Sequence, residues 1–423
     1  ALQREAREIE EFVLVTGDSA STEELLRELP DKVRLLHVPE IGYLSLSQLS
    51  EPAGTPLGPR QRTKEEKDAT RREEAAKLEE RIRRRLLEEI KIEGAIWWVH
   101  NYQLGKNPVF TKALLGIGRE HPELFVLLQV HDFPEDARYT NLRFLNLLLP
   151  ESPYPVASNL RYATINSRDL TYLRRAGLPE EGTYLLPNPI DSLPRSEKRA
   201  EASAPDHENS RESVQERLHA AYARHFPLFD PQAPLALYPV RTIRRKNVME
   251  AALLLKTLSR PVNLVVTLPG VSQQEKNYSA MVEHSYNEGI IRGLWGIGSS
   301  LEQHGITFQE LQEGADLFLS TSVKEGFGFQ YVDALRWGKP LIARDLDVLD
   351  DLRPHLVGAR FYSSVQVPVT TPSLSDVRPM LKMQYQERLD RLEETLPREA
   401  FSLLKEEIHG MLDRESVDFS FLM

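Results

Sequence analysis

Ala315-Asp316-Leu317-Phe318-Leu319-Ser320-Thr321-Ser322-Val323-Lys324-Glu325-Gly326-Phe327-Gly328-Phe329-Gln330-Tyr331-Val332-Asp333-Ala334-Leu335-Arg336-Trp337 reads as a strand, a glycine-bearing turn and a helix in direct succession. Ala315 to Ser322 is apolar on both faces, which suits a buried parallel strand better than a half-wet antiparallel one. Phe329 to Trp337 predicts the helix. Between them, Gly326 and Gly328 let backbone approach a ligand closely, and the N–H groups and dipole of a helix start favour an anion or sugar hydroxyls. Asp333 follows Glu325 by eight residues, a span of roughly 12 Å along a helix. One acid is therefore placed to hold a sugar while the other holds a ribose of the same extended ligand.

The same alternation continues outward in both directions. Further strands are expected at Phe12 to Asp18, Val33 to Pro39, Ala95 to Asn101, Phe125 to Asp132, Tyr162 to Ser167, Thr183 to Ile190, Leu235 to Arg241, Val262 to Pro269 and Lys339 to Asp345. Strands alternating with helices predict a doubly wound α/β fold with parallel sheets. A chain of 423 residues suits two domains. The expected division is 1–191 for an N-terminal Rossmann-like domain, 192–215 for a polar linker or mobile loop, and 216–395 for a second Rossmann-like domain. A helical pattern runs from Pro379 to Met411. Within 396–423, the apolar end from Val417 to Leu422 is expected to dock, with the first domain as candidate destination.

Composition narrows the function classes. The chain has no cysteine, which excludes disulfides, thiolate metal sites and cysteine nucleophiles and makes the cytoplasm the default setting. A formal net charge of −10 argues against a general nucleic-acid binder. No apolar run approaches the roughly 20 residues that span a bilayer. Residues 61–90 are charge-dense and lack Gly and Pro; they predict a solvated helix laced with i,i+4 pairs. A partner helix, or a basic strip at Arg81, Arg83, Arg84 and Arg85 touching a membrane peripherally, stays open beside that reading. Oligomeric state is not legible.

Ligands of doubly wound sheets bind outside the carboxyl ends of the strands. Four polar clusters fall at such ends: His100-Asn101, His131-Asp132, Arg241 to Lys246, and Lys324 to Gly328. Arg241 and Lys246, beside a helix start, suit a diphosphate leaving group whose charge grows as a bond breaks. Arg244 and Arg245 lie between them. His100, Asn101, Asp132 and Arg138 are acceptor-side candidates, with Asp136 near them. Asp132 is placed either to orient His131 or to cap the turn that follows.

Several of these segments resemble a known family. Glu325-Gly326-Phe327-Gly328 through Asp333-Ala334 and Gly338-Lys339-Pro340-Leu341-Ile342-Ala343 is similar to the E-x7-E region of retaining glycosyltransferases of family four, the group 1 type. Val240-Arg241 with Lys246 resembles that family's Gly-Arg…Lys element, and Leu186-Pro187-Asn188-Pro189-Ile190-Asp191 its Pro-Asn-Gly-Ile-Asp segment. The resemblance implies the GT-B architecture, two Rossmann-like domains facing across a cleft. It implies transfer of a hexose from a nucleoside-diphosphate sugar, UDP-glucose or GDP-mannose first, to a hydroxyl acceptor with retention. Glu325 would hold sugar hydroxyls within a donor set of Gly326, Phe327, Gly328 and Phe329, and Asp333 the ribose. Arg241 and Lys246 would clamp the diphosphate, and His131 would stand beside the transferred sugar. No protein nucleophile and no metal cofactor is then required. Asp333 stands for Glu, Val240 for Gly and Pro189 for Gly, and the family's Gly-rich first turn is unmatched. Asp345-Leu346-Asp347 imitates a metal-holding D-x-D pair but is expected to be an acidic helix-start loop. A glycoside phosphorylase, a sugar-nucleotide epimerase and a non-catalytic nucleotide-binding partner protein remain the alternatives.

Overall fold

The computed structural model describes residues 9–17, 33–49, 63–135, 138–190, 206–369, 377–393 and 395–422. The chain divides into two compact units, Ala1–Pro187 and Asn188–Met423.

In the first unit, β1 (Phe12–Thr16) and β2 (Val33–His37) form a parallel pair. Strands β3 (Ile96–His100), β4 (Phe125–Val130), β5 (Leu160–Thr164) and β6 (Thr183–Leu185) form a parallel sheet in chain order. Parallel neighbours require crossovers, and helices Pro108–Glu120, Tyr139–Leu148 and Ser167–Arg175 supply them. Trp97, Val126, Leu128, Val130, Leu160 and Tyr162 point from the sheet into a core that also takes Val109, Ala113, Leu114 and Ile117. Gly17, just after β1, packs on Gly42: a Cβ there would lie 2.2 Å from the Gly42 nitrogen.

The charged segment forms helix Lys64–Glu89, opened by a Thr63/Glu66 capping box. It is not solvated all round, as its composition suggested. Ala75, Leu78, Ile82 and Leu86 recur every three or four residues and are buried in the core. Its charges divide between pairs along the helix, such as Arg85–Glu89, and pairs to helix Pro108–Glu120, namely Lys112–Glu79 and Arg83–Glu120.

The second unit holds a six-stranded parallel sheet, ordered β12-β11-β10-β7-β8-β9. Its strands are β7 (Leu235–Arg241), β8 (Asn263–Leu268), β9 (Gly293–Trp295), β10 (Leu317–Ser320), β11 (Leu341–Arg344) and β12 (Arg360–Tyr362). From β7 the chain winds outward to β9, then returns to place β10 on the other side of β7. The winding direction therefore reverses between β7 and β10, and that switch point is where ligands of such sheets bind. The edge strands β9 and β12 have three residues each, too short to give a periodic signal in the sequence.

Residues 191–205, which carry most of the expected linker, lie outside the described residues. From Asp206 the chain is helical to Tyr222, so 206–215 is helix rather than loop. Val214 and Leu218 anchor it in the core. The helical pattern from Pro379 to Met411 is two helices, Val377–Glu393 and Arg398–Leu412, with Pro397 at the N-cap of the second; proline cannot supply the N–H a continuous helix needs. The tail forms β14 (Ser416–Asp418), antiparallel to β13 (Gln366–Pro368). Val417 is buried with Leu381, Tyr385, Met411 and Leu412, so the tail docks within its own unit.

Candidate functional site

β7 ends in a register shift between Tyr238 and Arg241, leaving Arg241 exposed at the carboxyl edge. A single 3-10 turn, Arg244–Lys246, follows, and Asn247 begins the helix Val248–Lys256 with φ 49°. Asparagine is among the few residues that tolerate this left-handed conformation. The Lys246 carbonyl accepts from the Tyr238 hydroxyl at 2.6 Å and from Thr321 Oγ1 at 3.2 Å, and Thr321 also donates to the Asn247 carbonyl at 2.8 Å. The clamp segment is thus fastened to residues on both sides of the switch point.

Glu325 is only 4% exposed. Lys246 Nζ donates to its Oε1, Gln330 Nε2 donates to the same oxygen at 2.7 Å, and Arg245 Nη1 lies 3.4 Å from Oε2. Burial alone would push this carboxyl up. The Lys246 ammonium, hydrogen bonds from Lys246 and Ser322, and the Arg245 guanidinium together outweigh it and hold the group below its ordinary value. Gly328, at φ 79°, caps the helix Phe329–Trp337. A Cβ there would sit 2.3 Å from the Tyr331 ring, which is buried and bonded through its hydroxyl to Ser320 at 2.9 Å. Only glycine fits that turn. Phe327 and Phe329 meet edge-on at 5.1 Å, and Phe329 stays exposed.

Asp333 behaves differently from Glu325. It is half-buried on the same helix; its hydrogen bond runs to Gln312, and Arg336 is its cationic neighbour. Burial dominates and raises its carboxyl above the ordinary range. The structure thus joins Lys246, Arg245, Glu325 and Gln330 in one cluster, and holds Asp333 between helix Phe329–Trp337 and helix Phe308–Gly314. Arg244 is engaged elsewhere, with its backbone N–H donating to Glu275 at 3.0 Å and Nη1 to the Gln274 carbonyl at 2.8 Å.

Beneath the clamp lies a network that the sequence did not announce. Glu250, fully buried, accepts from Asn247 Nδ2 at 2.7 Å, from Arg344 Nη2 at 2.6 and 2.7 Å, and from the Tyr362 hydroxyl at 2.7 Å. Arg344 also donates to Asp418 of β14 at 3.0 Å. The only signal was an acid inside the apolar run Val248-Met249-Glu250-Ala251-Ala252-Leu253, where nothing else is polar. Gln330 gave none.

In the first unit, β3 and β4 bring His100 and His131 together, with Nδ1 of the former 2.9 Å from Nε2 of the latter. Asn101, at φ 54°, accepts the His131 backbone N–H at 2.9 Å. Asp132 pairs with Arg138 at 2.9 Å, and its carbonyl accepts from Gln103; its carboxylate is committed to Arg138. Desolvation lowers both imidazoles. For His100 the neighbouring His131 adds to it, and for His131 the Asp132 carboxylate opposes it. Asp136 lies outside the described residues. Of the D-x-D imitation, Asp345 is 2.6 Å from Arg353, which also reaches Asp350 at 3.3 Å. Among the described residues, no group of three or more His, Asp or Glu is arranged to hold a metal ion.

No protein-family model matches the chain. A curated relative, mannosylglucosyl-3-phosphoglycerate synthase of Petrotoga mobilis, is 32% identical over 330 residues, covering 78% of this chain and 61% of the relative. The chain thus spans about three fifths of that relative's length. Among solved structures, Anabaena HepE in complex with UDP-glucose aligns with TM-score 0.50 at 15% identity, over 95% of this chain and 91% of HepE. Sucrose-phosphate synthase from Thermosynechococcus elongatus aligns with TM-score 0.44 at 13% identity, over 91% and 84%. The chain is a homologue of the Petrotoga synthase and has the GT-B fold.

Proposed function

We propose that the protein is a glycosyltransferase that moves a hexose from a nucleoside-diphosphate sugar to a hydroxyl acceptor, with retention and without a metal. The observation that carries this reading is the buried Lys246–Glu325 pair at the β7/β10 switch point, flanked by Arg245 and the Gly326–Gly328 turn. Lys246, held by Glu325, and Arg241, exposed at the carboxyl end of β7, are the cations for the diphosphate; they stabilise charge that grows on the leaving group. Glu325, kept ionised by Lys246, accepts hydrogen bonds from sugar hydroxyls, and Asp333 takes the ribose. His131 works beside the transferred sugar, with Asn101, Asp132 and Arg138 on the acceptor side. The leaving phosphate assists deprotonation of the acceptor, so no protein nucleophile enters.

The homology to mannosylglucosyl-3-phosphoglycerate synthase supports a mannosyl or glucosyl donor and a small anionic acceptor built on a glycerate. The test is a thermal-shift and donor-turnover screen over UDP-, GDP- and ADP-sugars, run with and without excess EDTA. One nucleotide sugar should stabilise the protein and be consumed in EDTA when acceptor is added. Turnover that needs inorganic phosphate and no nucleotide would replace this reading with a phosphorylase. Nucleotide binding without turnover of any donor would leave a binding protein.

A further inference from the structure

His100 and His131 are joined at their rings, with the His100 ring beside Trp98 and the His131 backbone held by Asn101. The register of β3 on β4 sets His100 opposite Gln129, and the two imidazole centroids lie 5.2 Å apart, tilted by 50°. Asn101 fixes the His131 backbone from the β3 side. The Trp98 ring lies 5.1 Å from that of His100, and its indole N–H donates to Gln129 Oε1 at 2.8 Å. Gln129 in turn donates to the Leu186 carbonyl at 3.0 Å.

Two imidazole nitrogens at 2.9 Å require one proton between them, because two lone pairs or two N–H groups would repel. The bridge ties the two tautomers together. If His100 Nδ1 carries the bridging proton, His131 must carry its own on Nδ1. If His131 Nε2 carries it, His131 Nδ1 is bare. The state of the one His131 nitrogen that His100 does not engage is therefore coupled to the tautomer of His100. Two cations cannot share this spacing without repulsion, so the pair takes up at most one extra proton near neutral pH. The charged groups beside it are Asp132 and, held on Asp132, Arg138.

We infer that His100 is a positioning residue for His131: through the ring-to-ring hydrogen bond it fixes the tautomer and ring plane that His131 presents to the sugar. The inference rests on the reading of His131 as the residue beside the transferred sugar. The bridge itself does not depend on that reading.

The test uses His100→Ala and His100→Asn in the full chain. An asparagine amide can place a hydrogen-bonding group near the position of Nδ1, so it can keep the bridge, whereas alanine removes it. His100→Ala should lower turnover roughly tenfold or more, about 1.4 kcal/mol. It should also shift the acid limb of the pH–rate profile upward as His131 loses its neighbour, and leave nucleoside-diphosphate affinity within about threefold. His100→Asn should recover most of the turnover. Nitrogen-15 NMR of the histidine-labelled wild-type protein should show His131 as a single tautomer coupled across the bridge, and His100→Ala should show the averaged mixture of a free imidazole. Equal damage in the two variants, or an averaged His131 tautomer in the wild type, would overturn the inference. If no donor is turned over at all, the glycosyltransferase reading fails while the NMR result still decides the bridge.

Discussion

The clamp around Lys246 and the histidine pair in the first unit both sit at the carboxyl edge of a parallel sheet, yet they are built on opposite electrostatic principles. Around Lys246, buried permanent charges of both signs are matched: Glu325 to Lys246, with the exposed Arg245 reaching it from the surface, and below them Glu250 to Arg344 and Arg344 to Asp418. The histidine pair has no buried permanent charge. Its rings are partly exposed, its pKa values are lowered by desolvation, and its one nearby ion pair, Asp132–Arg138, is open to solvent. A site that must receive a diphosphate needs cations already in place and held there by counter-charge, since reorganising them during binding would cost affinity. A site that works beside the reacting sugar needs groups whose protonation can respond near neutral pH. On the proposed function, the second unit ties stability to its role and the first does not.

The largest expected effect breaks the first half of that contrast. Lys246→Ala strands the Glu325 carboxylate in a buried position, and removing one partner of a buried pair costs about 3–5 kcal/mol. Urea denaturation should show a loss of that order together with loss of nucleoside-diphosphate binding beyond tenfold in calorimetry. Adding Glu325→Gln to Lys246→Ala should restore much of the stability and none of the nucleotide affinity. A single variant that unfolds at the wild-type urea midpoint would show that the pair carries no stability and that the contrast is wrong.

The second effect is nearly as large but confined to turnover. His131→Ala should lower the turnover number by two or more orders of magnitude, over about 2.7 kcal/mol in barrier terms. UDP or GDP affinity should stay within about threefold and the urea midpoint should barely move. A variant that loses stability like Lys246→Ala would make His131 a packing residue.

The parts of this architecture visible beforehand were those with local signatures. The parallel strands β1 to β8, and β10 and β11, were apolar enough to read, and the glycines at 326 and 328 marked the turn because Gly328 has no room for a side chain. The residues that make the clamp rigid were not visible. Glu250, Arg344, Tyr362 and Asp418 come from four separate segments, and no spacing in one chain encodes a contact between residues 94 positions apart. The pairing of His100 with His131 was hidden for the same reason: each stood at the end of its own expected strand, and only the side-by-side pairing of β3 with β4 brings their rings together. The helix Lys64–Glu89 shows the reverse error, since dense charge masked a sparse but regular apolar stripe.

The smallest effect sharpens the comparison inside one segment, between Glu325 and Asp333. The two carboxyls share a turn and helix but are displaced in opposite directions, Glu325 below its ordinary value of 4.5 and Asp333 above 3.8. Their contributions to stability should therefore have opposite signs in acid. Glu325 contributes stability that is full above about pH 4.5 and is lost as pH falls through its lower folded pKa. Asp333 is destabilising when ionised, and that cost is relieved as pH falls through its raised folded pKa toward 3.8. At pH 7, Glu325→Gln should destabilise by about 1–3 kcal/mol, while Asp333→Asn should be neutral or slightly stabilising. Ligand binding separates the two again. If Asp333 takes the ribose, Asp333→Asn weakens bare nucleotide and nucleotide sugar alike by about tenfold, or 1.4 kcal/mol. If Glu325 reads the sugar, Glu325→Gln weakens the nucleotide sugar and leaves the bare nucleotide nearly unchanged. The decisive measurement sets the two variants against the two ligands by calorimetry at pH 7. Should Asp333→Asn be silent against both ligands, its hydrogen bond to Gln312 is its whole role, and the ribose must be held by another group at the switch point.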